Sequence, residues 1–262
     1  MKCLPANKLP VAHGNILHDW HAEVIAIRAF NRHLLDECTL ISTPPYPTSG
    51  LLRKVSPDEQ TRDLQQPFTI REDVSFHMYC SEAPCGDASM ELTMAAQEDA
   101  TPWTSTPPTL SSTPHSGDEG EASALRGRSN FSLLGVVRAK PSRPDAPPTL
   151  SKSCTDKLAV KQATSLLSST SSLFVSPQNA YLETLVLPDS QYIPKHVNAP
   201  SLRPVASGVL TRMSGKAATA SSPSPSFPQI ESLLGHAAHY PLPKKRCLVT
   251  YLRCGHRLGR RL

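Results

Sequence analysis

The stretch QEDATPWTSTPPTLSSTPHSGDEGEASALR, residues 97–126, constrains the fold more than any other part of the chain. Proline removes a backbone donor, and Ser, Thr, Asp and Glu offer no apolar face, so such a run is expected to be a disordered insert. SGKAATASSPSPSFPQ, residues 214–229, has the same character and predicts a flexible tail. With 26 prolines and 5% aromatic residues in 262, the material for a core suffices for one unit. We therefore expect one domain over residues 1–204, interrupted at about 97–126, and a low-complexity, basic tail without a fold over 205–262.

The blocks on either side carry both hydrophobic periods. Val24, Ile27, Phe30 and Leu34 recur at helical spacing and predict a helix over residues 22–37. FTIREDVSFHMYC reads as a strand, with Val74, Phe76 and Met78 alternating against Ser75, His77 and Tyr79. PCGDASMELTMAA predicts a second helix opening at Pro84, because proline is tolerated in a first turn. CTDKLAVKQATSLLSS predicts a third helix, and NAYLETLVLP a further strand. Mixed α and β elements predict an α/β fold.

Charge and cysteine usage narrow the setting. A net charge of +5 suits an anionic partner without requiring one. MKCLPANKLPVAHG lacks the apolar core of a signal peptide, and no apolar run is long enough to cross a bilayer. The seven cysteines stand at irregular spacing, so a reducing compartment with free thiols or metal ligands is expected.

Three of the predicted helix starts each offer one zinc ligand: His21, Cys85 and Cys154. Helix N-termini favour the thiolate that a metal needs. One imidazole and two thiolates leave a fourth position for water, the arrangement of a hydrolytic site. Glu23, two residues after His21, is placed to move protons. Zinc nucleobase deaminases use such a His-x-Glu box with a Pro-Cys-x-x-Cys box. PCGDAS has no second cysteine at that spacing, which makes Cys154 the candidate third ligand. Taken singly, each piece has a plainer reading: a solvated helix start, or a cysteine acting as a small buried hydrophobe. Cys80 competes with Cys85 for the ligand role. Cys3 and Cys38 read as ordinary thiols. Cys247, Cys254 and His256 in the tail provide no fourth donor for a second site.

KCLPANKLP, HGNILHDWHAEVIAIRAFNRHLLDE, FHMYCSEAPCGDASM and DAPPTLSKSCTDKLAVKQ together resemble the adenosine-to-inosine editase domain family, most of all its fungal members that act on tRNA. Ser89 stands where the duplex-RNA editing branch commonly has Arg. The resemblance implies a cytidine-deaminase-like mixed sheet with helices packed on it and zinc at helix N-termini. It implies that His21, Cys85 and Cys154 bind the zinc, that Glu23 is the proton shuttle, and that adenosine is hydrolysed to inosine 3′ of the anticodon in tRNA. Lys2, Asp19, Arg28 and Lys157 match positions that contact a buried inositol hexakisphosphate or relay to the zinc site. Arg138 and Lys140 match a loop that approaches RNA. tRNA is the implied partner, with no DNA, membrane or protein partner, and the implied compartment is cytoplasmic or nuclear. The likeness covers about residues 2–204, and the family continues beyond both ends of it. Truncation at both ends is therefore expected, and with it an alternative: a catalytically inactive RNA-binding remnant.

Overall fold

In the computed structural model, α1 (Ala22–Ser42) buries Phe30, Leu34, Cys38 and Ile41, one residue per turn along a single stripe. It runs beyond the predicted residue 37. Thr39, Ser42 and Thr43 return their hydroxyls to the carbonyls of Leu35, Cys38 and Thr39, and the helix stops just before Pro44. The structure describes residues 3–96, 125–130, 132–141, 146–193, 211–213 and 247–253.

The strand expected over residues 68–80 is two strands. β1 (Leu52–Lys54) pairs antiparallel with β2 (Phe68–Ile70), Leu52 opposite Ile70. A turn then separates β2 from β3 (Val74–Cys80): the Val74 N–H donates to the Arg71 carbonyl and Arg71 Nε to Asp73 Oδ1, at 3.1 and 3.0 Å. α2 (Met90–Ala95) is one short helix behind a 3-10 turn at Asp87–Ser89, and does not open at Pro84. Gly86, at φ 107° and ψ −146°, is the reason, since no helix passes through that conformation. β4 (Leu125–Arg126) and β5 (Arg138–Ala139) form a small parallel pair. The predicted insert otherwise lies outside the described residues.

α3 (Cys154–Thr164) starts at a side-chain cap, Ser153 Oγ accepting the Asp156 N–H. It ends five residues earlier than its hydrophobic pattern predicts. Ser165 takes φ 66°, and buried Asn31 of α1 captures the departing chain. Its Nδ2 donates to the Leu166 carbonyl at 2.9 Å, and its Oδ1 accepts the Ser168 N–H at 2.6 Å.

β6 (Leu182–Pro188), β7 (Thr211–Met213) and β8 (Cys247–Arg253) complete a four-stranded sheet in the order β7-β6-β3-β8. β3 and β6 are parallel, as are β6 and β7, while β8 runs antiparallel to β3. Two strands thus come from the segment expected to be a tail without a fold; the rest of it lies outside the described residues. Phe76, Met78, Leu185, Leu34 and Leu158 are fully buried between sheet and helices. The Phe30 and Phe76 rings meet edge to face at 4.9 Å. No helix among the described residues is long and apolar enough to cross a membrane.

Candidate active site

His21 caps α1 in extended backbone without using its side chain as the cap, which leaves the imidazole for other partners. Cys85 sits between Pro84 and Gly86, pressed onto the first turn of α3. The Thr155 N–H donates to the Cys85 carbonyl at 3.0 Å, and Thr155 Oγ1 accepts the Ala88 N–H at 3.3 Å. Cys154 is the first residue of α3. These placements bring one donor atom each from His21, Cys85 and Cys154 within 4.8 Å of one another. Cys85 Sγ is 3.5 Å from His21 Nδ1 and accepts the Cys154 N–H at 3.3 Å. Two of the three donors stand at helix starts as expected, and Cys85 lies in the turn ahead. Cys80, the competing candidate, is fully buried in the core and outside this group.

Glu23, 1% exposed, projects from the first turn of α1, near enough for its charge to act on Cys154. The hydrogen bond between the two cysteines dominates their chemistry. It holds Cys85 well below the ordinary thiol range, against burial and with help from His21 and Lys140. It pushes Cys154 upward, as does burial. Burial disfavours a charged His21, but hydrogen bonds with Cys3 and Cys85 outweigh it and raise the imidazole to about 9. A nitrogen and two sulfurs gathered in this way, with a buried carboxylate alongside, are a donor set that fits zinc.

Behind the donors lies a charged network. Lys140 Nζ donates to Asp19 Oδ2 at 2.8 Å and to Cys154 Sγ at 3.3 Å. Lys157 and Ser151 bond to the same Asp19 oxygen, and Lys157 Nζ donates to Ser151 Oγ at 2.7 Å. Burial opposes the Asp19 charge, yet these donors hold its carboxyl well below the usual range. Lys140 is raised in turn: burial works against it, and Cys85, Cys154 and Asp19 more than compensate.

Arg138 and Lys140, expected in a loop that approaches RNA, both line the cavity beside the donors, and both are engaged in buried ion pairs. The Arg138 side chain is 2% exposed and the Lys140 side chain 6%. Arg138 Nε donates to Asp87 Oδ1 at 3.0 Å, and its terminal nitrogens donate to the carbonyls of Gly127, Ser129, Asn130 and Leu133. It therefore staples loop 127–133 to the Cys85 loop. Lys140 is part of the network beside the donors. Arg28 stands exposed on α1, Lys157 is engaged with Asp19, and Lys2 lies outside the described residues. Asp87 and Ser151 are functional neighbours that sequence reasoning missed; a single acid or hydroxyl in a loop gives no signal of its own.

His21 and Cys85 open onto a cavity of about 1090 Å³, with Ser89, Lys140 and Pro147 also in its lining. The sequence pattern of the adenosine-deaminase (editase) domain matches residues 1–221. The tRNA-specific adenosine deaminase 1 of Schizosaccharomyces pombe is 43% identical over 188 residues, 71% of this chain and 42% of that protein. Its namesake in Saccharomyces cerevisiae is 35% identical over 205 residues, 75% of this chain and 46% of that protein. The double-stranded RNA-specific editase Adar of Drosophila melanogaster is 29% identical over 87 residues, 33% of this chain and 12% of that protein. The chain spans less than half the length of the two fungal relatives.

Proposed function

Since the chain belongs to the adenosine-deaminase (editase) domain family, we propose that it carries the zinc-holding part of an enzyme that hydrolyses adenosine to inosine and ammonia in tRNA, at the adenosine 3′ of the anticodon. The observation that supports this best is the gathering of His21, Cys85 and Cys154 within 4.8 Å, at the wall of a cavity large enough for a nucleoside.

His21, Cys85 and Cys154 would hold the zinc. When bound, zinc supplies a Lewis acid that makes water a nucleophile near neutral pH. Glu23, buried and not a ligand, takes a proton from the attacking water and delivers protons to the adenine ring and the departing amino group. Asp19, Lys140 and Lys157 fix the floor of the site, and Lys140 places positive charge beside both sulfurs.

The tRNA substrate is favoured by the likeness to tRNA-specific enzymes: the two fungal ones are 43% and 35% identical over more than 70% of the chain, and over a third of it the mouse and human ones reach 38% and 37% against 29% for the fly editase. A loop adenosine also costs less to extrude than one paired in a duplex. The test is incubation of the zinc-loaded chain with an anticodon stem-loop carrying the target adenosine and with a perfect duplex, reading inosine by mass spectrometry of nucleosides. Inosine is expected in the stem-loop alone. Equal or faster deamination of the duplex, or none in either RNA, would contradict the proposal.

A further inference from the structure

We propose that Cys3 is a positioning residue for His21: its sulfur accepts the imidazole N–H that the metal leaves free, and so fixes the ring for metal binding. This rests on the reading that His21 holds zinc. Cys3 forms an isolated antiparallel bridge with Asp19, and the Leu4 N–H donates to the His18 carbonyl at 2.9 Å, which lays the segment along residues 18–21. Cys3, Asp19 and His21 each place one donor atom within 4.8 Å of the others. That group and the His21–Cys85–Cys154 group have only His21 in common. The imidazole belongs to both groups, with Nδ1 3.5 Å from Cys85 Sγ.

A metal-bound imidazole has one nitrogen left, and an acceptor for its N–H sets tautomer and orientation. Asp19 is near enough, but both its oxygens are engaged. Oδ1 accepts the His21 backbone N–H at 3.0 Å, and Oδ2 accepts from Lys140, Lys157 and Ser151. Cys3, whose sulfur lies within 4.8 Å of a His21 ring nitrogen, is the acceptor that remains among the described residues. In the sequence it looks like any other thiol, because the pairing that brings it to His21 is made by backbone.

The experiment measures zinc affinity of the full 262-residue chain by competition with a chromophoric chelator. Outer partners of metal-binding histidines are typically worth about 10–100-fold in affinity. Cys3→Ala should weaken zinc by that factor, and Cys3→Ser, which keeps an acceptor in place, should recover most of it. Unchanged affinity in Cys3→Ala, or Cys3→Ser as weak as Cys3→Ala, would overturn the role while leaving the zinc reading intact. No zinc binding by the parent chain would overturn both. Should Cys3→Ala not fold, histidine ¹⁵N spectra of the zinc-loaded parent decide. A slowly exchanging proton on the His21 nitrogen remote from the metal supports the role, and exchange as fast as in an exposed imidazole overturns it.

Discussion

In the proposed reaction Glu23 is the residue on which the chemistry would turn, and its placement would separate proton transfer from metal binding. It lies on the first turn of α1, buried, with its charge felt at Cys154, yet outside the group of grouped donors. Glu23→Gln should therefore keep zinc and lose deamination, by at least the ~10²–10⁴-fold typical of general acid–base catalysis. Inosine yield and zinc content measured on the same preparation check this; an active variant would remove Glu23 from the mechanism. Arg138 gives a second test at this scale. Its guanidinium and the Asp87 carboxylate are each 2% exposed and paired at 3.0 Å. Arg138→Ala leaves a buried carboxylate unpaired and should cost about 3–5 kcal/mol. Denaturant unfolding reads that loss, and a change below about 1 kcal/mol would show that the pair does not hold the loops. The donors were legible in the sequence because His, Cys and Glu announce their chemistry by type. The buried ion pairs of Arg138 and Lys140 gave no signal, because a basic residue in a loop looks the same in sequence whether it meets solvent, an acid or a partner. Their partners, Asp87 and Asp19, lie far away in the chain.

At the scale of elements, the turn before α2 matters more than the helix. Gly86 takes φ 107°, and a Cβ there would stand 2.4 Å from Ser153 Oγ and 2.6 Å from Ser153 Cβ. Ser153 caps α3, so the clash falls on the joint between Cys85 and Cys154. Gly86→Ala is predicted to cost on the order of 1–3 kcal/mol in backbone strain and to weaken zinc as the two sulfurs are pushed apart. Thermal unfolding with and without zinc, together with chelator competition, measures both. Zinc affinity equal to that of the parent would show that the site tolerates the shift. Helical periodicity located α1 and α3, since their buried stripes repeat every three to four residues. It could not place the end of α3, which is set by Asn31 of another helix. Nor could it see that Pro84 precedes a turn, because Gly86 breaks a pattern that otherwise favours helix.

Across the whole molecule, the sheet joins distant parts of the chain: β3 and β6 supply its centre, and β8 comes from a segment whose composition suggests no fold. Val249, Thr250 and Tyr251 in CLVTYLR, residue types that favour strands, offered a signal that the surrounding basic residues concealed. In the proposed function, the fold gathers three donors from separated elements to hold one metal ion, beside a carboxylate that stays free for proton transfer. Elemental analysis of the purified chain tests it most directly. The account predicts about one zinc per chain in the parent and in Glu23→Gln, the open three-ligand site of a catalytic zinc, and loss of zinc in Cys85→Ala and in Cys154→Ala. Folded parent protein without zinc, or full zinc content in both cysteine variants, would contradict it.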